Sequence, residues 1–574
     1  MNPALQRALD VCASEPIHLS GAIQPHGFLV SCALPDWTVR HVSANIESLL
    51  GVPVEGMLRH SLREFFTDDV IRALADTAAL TEPGAVTQRA AVANIGPSAT
   101  LCDLTVHCVD GLIHIEIEPQ PPGTSELSPT ITAQNMIARV ANASTPDDFF
   151  DGVAAQVKRL TGYDRVMVYR FRHDDAGEVV AEACEPDMGS FLGVRFPASD
   201  IPPQARALYV SNRIRVIPDA GYSAVPIVPD RDQRGAPLDL GQNMLRSVSP
   251  VHLEYLRNMG VAASMSISIT VGGRLWGLVA CHHREPRLVP PGVRAAADLF
   301  GLFASMRVAA REQHAAEVAE EHARAARDTL AIRLQDAAEP RRALLGELAL
   351  LCRTVPADGV AVWMDHRWHA HGHTPDGSAM PRLQGWISRV GPNAGIASTH
   401  LADHWAAGAG TNGIAGVLAI EIFPGSGEWV PFFRREQVEQ VRWAGRPDRP
   451  FQVSEDGQRI GPRSSFEAWV QTVRDSSVPW TDGDRRLAER LRRVLHQRQH
   501  RGHGATGPSI GDLAGQRVRS EVRDQRDRLV RLSSLLEGLV HLDAEETTRL
   551  AAHIGALETE LRALARIPEA KDSA

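Results

Sequence analysis

The sequence predicts a multidomain α+β protein with long connecting helices and a C-terminal helical hairpin, and three observations carry that prediction. The 574 residues exceed what one hydrophobic core supports, since single cores stop growing near roughly 250–300 residues, so three or four units are expected. Short runs of alternating apolar residues recur beside helical stretches in three separate regions. Two further segments, residues 294–337 and 529–564, carry helical periodicity too long or too regular for one small domain.

Composition narrows the class. A hydrophobic content of 44% and a charged content of 22% are those of a soluble globular protein, and no apolar run is long enough to span a bilayer. The net charge of -9 without a basic patch argues against nucleic acid as a direct ligand. Seven cysteines, at positions 12, 32, 102, 108, 184, 281 and 352, are odd in number and scattered, so reduced thiols are expected instead of a disulfide framework. The start, Met1-Asn2-Pro3-Ala4-Leu5-Gln6-Arg7, lacks the pattern of a secretory signal, and a cytoplasmic location is expected.

Taken in order, residues 1–119 form an N-terminal segment and a small α+β domain, with strands such as Gly27-Phe28-Leu29-Val30-Ser31-Cys32 and Leu112-Ile113-His114-Ile115-Glu116-Ile117. The run from Pro119 to Pro129 is a Pro/Ser/Gly linker. Residues 130–311 form a second α+β unit with strands near Arg165 to Phe171, Ser264 to Val271 and Leu275 to His282. From about Arg294 to Ala337 a long helix, with Leu299, Leu302, Met306, Leu330 and Leu334 at helical spacing, is expected to join two domains as a spine along a dimer seam, and Pro340 to end or kink it. Residues 325–505 form the third unit; its segment 425–480, rich in Gly, Pro, Arg and Trp, resembles an arm more than a core. In residues 515–568, Leu529, Leu532, Leu536 and Leu539 step as one heptad seam, and Leu550, Ile554, Leu557, Leu561 and Leu564 as a second. Asp543 and Glu546 have capping-box spacing between them. Two such hairpins would close a four-helix bundle, so a homodimer is expected.

The stretch Phe196-Pro197-Ala198-Ser199-Asp200-Ile201-Pro202-Pro203-Gln204-Ala205-Arg206-Ala207-Leu208-Tyr209 is the most informative in the chain. Prolines at 197, 202 and 203 stiffen the backbone and remove donors, which places Asp200 on a non-helical turn before a helix through Ala205 to Tyr209. Its carbonyl is then outside any ladder, and a group with donors is expected beneath it. Cys12 precedes every folded domain; it is either an incidental thiol or a reactive one, and reactivity needs a lowered pKa or a positioned electrophile.

Cys12, Ile23-Gln24-Pro25-His26-Gly27, the Asp-Ile-Pro turn and Leu245-Arg246-Ser247-Val248-Ser249-Pro250-Val251-His252-Leu253-Glu254-Tyr255-Leu256-Arg257-Asn258-Met259-Gly260 together resemble the bacterial phytochromes, with PAS, GAF and PHY domains in that order over residues 10–499. The resemblance implies a linear tetrapyrrole, biliverdin, in the GAF pocket, attached by a thioether from Cys12 to a vinyl-derived carbon of ring A. It assigns the pyrrole nitrogens to the Asp200 carbonyl and an ordered water, with His252 on the other side of that water network; a core histidine on an apolar helix is the alternative for His252.

The two propionates of such a ligand need cations and hydroxyls. Arg246 and Arg215 offer planar guanidiniums, and Ser249, Ser264 and Ser266 neutral donors; Tyr255 is expected near the propionates. His282, in Cys281-His282-His283, resembles a metal cluster only superficially, since adjacent strand residues face opposite ways. The resemblance gives it the ring D carbonyl instead. Tyr169, Phe196 and Tyr209, with Met167 and Ile201, would surround ring D, the ring that rotates on photon absorption.

Within the arm, Pro462-Arg463-Ser464-Ser465-Phe466 and Trp443-Ala444-Gly445 resemble the phytochrome tongue. The resemblance implies that Arg463 pairs with Asp200 in one state and that Asp200 turns to Ser465 after the tongue refolds. Trp469 stands where family members often carry Tyr. His366, His369, His371 and His373 are read as a solvated surface in a Gly-containing loop, as are His496, His500 and His503 near a domain end.

Relatives of this kind often end in a histidine kinase. Only about 75 residues follow Gln499 here, without a Gly-rich ATP lid, and His541 lies at a helix end. The expectation is therefore a sensor, not an enzyme, that signals by conformational change in a homodimer to a separate partner. A split or pseudo histidine kinase acting in trans, and a GAF sensor for a small ligand or haem without photochemistry, are the alternatives.

Overall fold

The computed structural model describes residues 15–34, 36–80, 87–121, 128–390, 396–405, 410–422, 427–447, 451–453, 460–462 and 465–499. Cys12, Arg463, His500, His503, His541 and the heptad hairpin of residues 515–568 lie outside the described residues. Among the described residues no helix is long and apolar enough to cross a membrane.

The first domain contributes β1 (Ala22–Ile23), β2 (Phe28–Ala33), β3 (Thr38–Ser43), β4 (Gln88–Ile95), β5 (Thr100–Val109) and β6 (Leu112–Pro119), and the second domain lends it β11 (Val225–Val228). These form one seven-stranded sheet in the order β1-β11-β3-β2-β6-β5-β4. Helix α1 (Asp68–Leu80) places Val70, Ile71 and Leu74 in a core with Leu104, Val106 and the isoleucines 113, 115 and 117 of β6.

The alternation in β6 has a second consequence. In a half-solvated antiparallel sheet its other face, His114, Glu116 and Glu118, would meet water, yet all three are buried. They lie under a strap of the second domain, residues 243–246, and under the start of a long helix. Glu116 accepts from the amides of Leu245 (2.6 Å) and Met244 (3.1 Å), and Glu118 pairs with Arg294 at 2.7 Å. Across neighbouring strands His41, Ser31, His114 and His107 form one buried row, with the His107 and His114 rings 4.6 Å apart.

The second domain contains α2 (Pro129–Val140), α3 (Pro146–Thr161), β7 (Arg165–Phe171), β8 (Gly177–Cys184), β9 (Val194–Phe196), α4 (Pro203–Ser211), β10 (Ile214–Ile217), α5 (Pro250–Asn258), β12 (Ala263–Val271) and β13 (Arg274–His283). Thr145 caps α3 in a reciprocal box with Asp148. One sheet face carries Val166, Val168, Met265, Ile267, Ile269, Val279 and Cys281 into the domain core against Phe149, Val153 and Phe300. The close approach of the long helix requires Gly301, where a Cβ would lie 2.4 Å from Ile267. Because strand residues alternate, the register puts Arg215, Ser264, Ser266, His282, Met167 and Tyr169 together on the opposite face.

The long helix, α6, runs Pro291–Asp336, 46 residues or about 69 Å at 1.5 Å per residue. It starts before the expected Arg294, with Pro291 preset for the first helical turn. Pro340 does not kink it but opens a separate short helix, Pro340–Gly346. Buried positions fall in two groups, from Arg294 to Val308 and from Ala323 to Leu334, as expected of a spine that serves two domains.

The third domain holds β14 (Gly359–Met364), β15 (Arg367–Gly372), α7 (Met380–Val390), β16 (Ile396–Thr399), β17 (Ile414–Glu421), β18 (Trp429–Arg435) and α8 (Asp482–Gln499), its sheet ordered β15-β14-β18-β17-β16. The histidine-rich segment is not a loop, because His369 and His371 lie on edge strand β15. The arm is narrower than residues 425–480. Val430, Phe432 and Phe433 of β18 are fully buried in the domain core, and Trp480 is anchored by its Nε1 bond to the Thr399 carbonyl at 3.2 Å and by Arg434 above its ring at 3.8 Å. The arm proper contains β19 (Glu439–Ala444), β20 (Phe451–Val453), β21 (Ile460–Pro462) and β22 (Ala468–Val473). Strand β19 pairs with β22 and, in parallel, with β9, so that one sheet of eight strands, β10-β12-β13-β7-β8-β9-β19-β22, runs from the second domain into the arm.

Burial pushes His107 down to about 3 and His114 down to about 4, from 6.5 in each case. The unfolded chain therefore takes up protons that the folded chain refuses, so stability is complete above pH 6.5 and is lost as pH falls through the folded values. His114→Ile should flatten this acid limb, with the loss of unfolding free energy between pH 7 and pH 4 smaller by about 3 kcal/mol in urea titrations. An unchanged slope would place the acid sensitivity elsewhere.

Candidate functional site

The second domain holds a cleft of about 1070 Å³, its open mouth included, at the turn of Asp200. The turn is not wholly non-helical, as expected from its prolines; Ala198–Asp200 is one 3-10 turn, closed by the Asp200 amide on the Pro197 carbonyl at 3.0 Å. Pro202 and Pro203 then set the extended-to-helical step into α4. The turn is clamped by Arg206, a residue missed by sequence reasoning although it sits in the same motif. Its guanidinium donates to the carbonyls of Ile201 (2.8 Å), Ala198 (3.2 Å) and Asp175 (2.8 Å) and lies 4.7 Å over the Phe171 ring.

Of the expected site residues, Asp200, Ile201, Tyr209, Arg215, Arg246, Ser249, His252 and Tyr255 line this cleft. Tyr255 donates its hydroxyl to the Asp200 carboxylate at 2.8 Å, and its ring stacks on His252 at 5.9 Å. Desolvation, then the Arg215 charge, lowers His252 to about 4, so its imidazole is neutral at pH 7. Met167, Tyr169, Phe196, Ile201 and Tyr209 share one apolar cluster with Ala444 and Phe466 of the arm. Tyr169 lies 5.9 Å from Phe196 and crosses Gly177, where a Cβ would fall 1.6 Å from its ring. Ser264, Ser266 and His282 are on the same sheet face but are not among the cleft-lining residues. Burial, then the charge of Arg165, lowers His282 to about 3, and its Nδ1 has no hydrogen-bond partner among the described residues.

The arm residues divide. Trp443 stands opposite Trp469 in the β19–β22 ladder and donates to Gln471 at 2.9 Å, while Pro462 is among the residues that line the cleft. Ser465 is exposed and accepts from the Glu467 amide at 3.4 Å. The parallel pairing of Trp443 with Arg195 had no signal in the sequence, because β9 is only three residues long.

Charge defines the cleft. Arg215 and Arg246 are 8% and 6% exposed, and among the described residues neither has a carboxylate within 4.0 Å. Arg215 is held by carbonyls, those of Asn243 (3.3 Å), Met244 (2.9 Å) and Arg246, and Arg246 by that of Ile17 (2.8 Å). The Arg246 Nε has no partner. Desolvation, then the Arg215 charge, lowers Arg246 to about 9. Two buried cations without counterions are costly, and they fit an elongated, largely apolar ligand with two carboxylates. Glu15, also missed from sequence, supplies one acid to the rim, where Ser249 donates to it at 3.1 Å.

Comparison with known proteins agrees with this geometry. Residues 12–120 match a PAS fold, 145–306 a GAF domain and 323–502 the phytochrome region. The bacteriophytochrome of Xanthomonas campestris pv. campestris is 34% identical over 517 residues, 85% of this chain and 78% of that protein. The chain belongs to the bacteriophytochromes. The bacteriophytochrome of Pseudomonas aeruginosa is 38% identical over 490 residues, and this chain spans 65% of its length. Among solved structures, the photosensory core of the Stigmatella aurantiaca phytochrome superposes with a TM-score of 0.73 at 32% identity, covering 85% of this chain and 98% of that one. The crystal structure of RpBphP3 from R. palustris does so with 0.71 at 33%, with the same coverage. The described domains are thus a bacteriophytochrome photosensory core, and membership implies a bilin chromophore.

Arg206→Ala should cost about 2 kcal/mol in urea unfolding, since three carbonyls around the turn lose a charged donor, whereas its partner Asp175 is exposed and that ion pair contributes little. Arg206→Lys should recover less than half, because an ammonium cannot span the fork. Wild-type stability in the alanine variant would show that the prolines alone hold the turn.

Proposed function

We propose that this bacteriophytochrome is a red/far-red photoreceptor whose pigment is biliverdin, held in the Asp200 cleft and joined by a thioether to Cys12. The observation that supports this most is the pair of buried guanidiniums, Arg215 and Arg246, without a carboxylate partner among the described residues. Bound biliverdin supplies a conjugated system that absorbs red light and a terminal ring that can rotate. In this reading Arg215 and Arg246 take the propionates, with Ser249, Ser264 and Ser266 as neutral donors and Tyr255 beside them. The Asp200 carbonyl faces the pyrrole nitrogens, with neutral His252 across from it. His282 offers an unpartnered nitrogen towards ring D, and Tyr169, Phe196, Tyr209, Met167 and Ile201 form its apolar enclosure.

The relay follows from the same contacts. Tyr169, Phe196 and Tyr209, which would enclose ring D, share one cluster with Ala444 and Phe466, and the tongue is hydrogen-bonded to β9, so these side chains would pass a change at ring D to the tongue. Arg463 is the proposed partner of the Asp200 carboxylate in one state and Ser465 in the other; Pro462, next to Arg463 in sequence, is among the residues lining the same cleft as Asp200. Helix α6 and the heptad hairpin would carry the change along a homodimer to a separate protein, without catalysis by this chain.

Reconstitution with biliverdin tests the reading. A reversible difference spectrum between red and far-red illumination is expected, and its absence would leave a GAF ligand sensor without photochemistry. Cys12→Ser should bind pigment that is released under denaturing conditions; retention would refute the attachment site. Arg246→Ala should weaken non-covalent uptake about 10- to 100-fold, the loss of one charge-assisted pair of about 1.5–3 kcal/mol.

A further inference from the structure

The strap of residues 243–246 is gripped from two sides by opposite charges. Arg215, from β10, donates to the carbonyls of Asn243, Met244 and Arg246. Glu116, from β6 of the PAS domain, accepts from the amides of Met244 at 3.1 Å and Leu245 at 2.6 Å. Leu245 immediately precedes Arg246. Glu116 is 1% exposed, and among the described residues no Lys, Arg or His lies within 4.0 Å of its carboxylate. The charged and titratable groups packed around it are Glu118 on the same strand, Arg294 and His26, which both face Glu118 at 2.7 and 3.7 Å, and Arg215 beyond the strap. Arg294 also approaches the Met244 sulfur at 3.3 Å.

We propose that Glu116 is a positioning residue for the chromophore: through the backbone of Met244 and Leu245 it sets where Arg215 and Arg246 meet the propionates, so that a carboxyl group of the PAS domain governs the GAF pocket. This rests on the biliverdin reading above. As an anion, Glu116 has only acceptors and satisfies both amides. As an acid, the protonated oxygen is the poorer acceptor and its hydrogen needs an acceptor of its own, so the bond to one of the two amides weakens. The strap then relaxes, and the carbonyls that hold Arg215 move with it. Burial raises Glu116 to about 7, against the pull of the Leu245 amide, so the change of state falls within the physiological range. With the folded value above the unfolded one, this group's contribution to stability is complete at low pH and is lost as pH rises through 7, opposite in sign to the buried histidines.

The test uses the full chain loaded with biliverdin, as wild type, Glu116→Gln and Glu118→Gln, with absorption and the dark return after illumination followed from pH 5.5 to 8.5. Wild type should show a midpoint near 7 in spectrum or dark return. Glu116→Gln should lose that midpoint and change the dark-return rate by about threefold or more. Glu118→Gln breaks a buried ion pair on the same strand; it should lower the melting temperature and, because the Glu118 charge helps to raise Glu116, move the midpoint down without abolishing it, which separates positioning from a merely structural role. Should Glu116→Gln fail to fold, Glu116→Asp replaces it, and a carboxylate on a shorter stem should displace the midpoint by about half a pH unit or more. The inference is overturned by a wild type without a midpoint, by a Gln or Asp variant with the wild-type profile, or by loss of the midpoint in Glu118→Gln. If wild type takes up no biliverdin, the proposed function fails and this inference with it; if only the variant profile is unchanged, the inference alone fails.

Discussion

Two guanidiniums buried in one cleft, neither with a carboxylate within 4.0 Å among the described residues, are the constraint on which the rest of the pocket depends. Burial of an unpaired cation is costly, and a second one nearby adds repulsion. The chain tolerates both by surrounding them with backbone carbonyls, those of residues 243, 244 and 246 for Arg215 and that of Ile17 for Arg246. This explains why three parts of the chain meet here. The N-terminal segment supplies Ile17 and the Gln24 amide, which bonds the Val216 carbonyl at 3.0 Å; the PAS strand β6 supplies Glu116; the GAF sheet supplies Arg215. The cations are preorganised by these carbonyls.

A second interaction joins the arm to the GAF sheet. Strand β19 joins the GAF sheet through a parallel register of only two residue pairs, Arg442 with Val194 and Trp443 with Arg195. The Arg195–Glu439 ion pair and the cluster around Tyr169 and Phe196 support it. Its backbone pairing is short, and what holds the arm here is chiefly buried side chains, Val194, Arg195, Val441 and Ala444 among them. A ligand that changes shape inside the adjoining cluster needs only a modest differential contact to bias two arrangements of the arm.

The sequence made the pocket legible where chemistry and backbone rules coincide. The prolines around Asp200, the alternation of Ser264 and Ser266, and the Arg-x-x-Ser-Pro-x-His run all led to residues that the structure brings to one sheet face or one cleft. The bounds of the arm were not legible, because Gly, Pro and Trp richness does not tell a core strand such as β18 from a projecting one. Nor was the burial of β6's polar face, since alternation gives the same signal whether the polar side meets water or another domain. Arg206 and Glu116 share this reason: their partners are backbone groups, for which no side-chain pattern exists.

The central claim is that the buried arginines are there for two carboxylates of the pigment. Uptake of biliverdin by the unloaded chain, compared with uptake of its dimethyl ester, tests that most directly. The account predicts that the ester binds at least about 100-fold more weakly, since both charge-assisted pairs are lost at about 1.5–3 kcal/mol each. Equal uptake of acid and ester would contradict it.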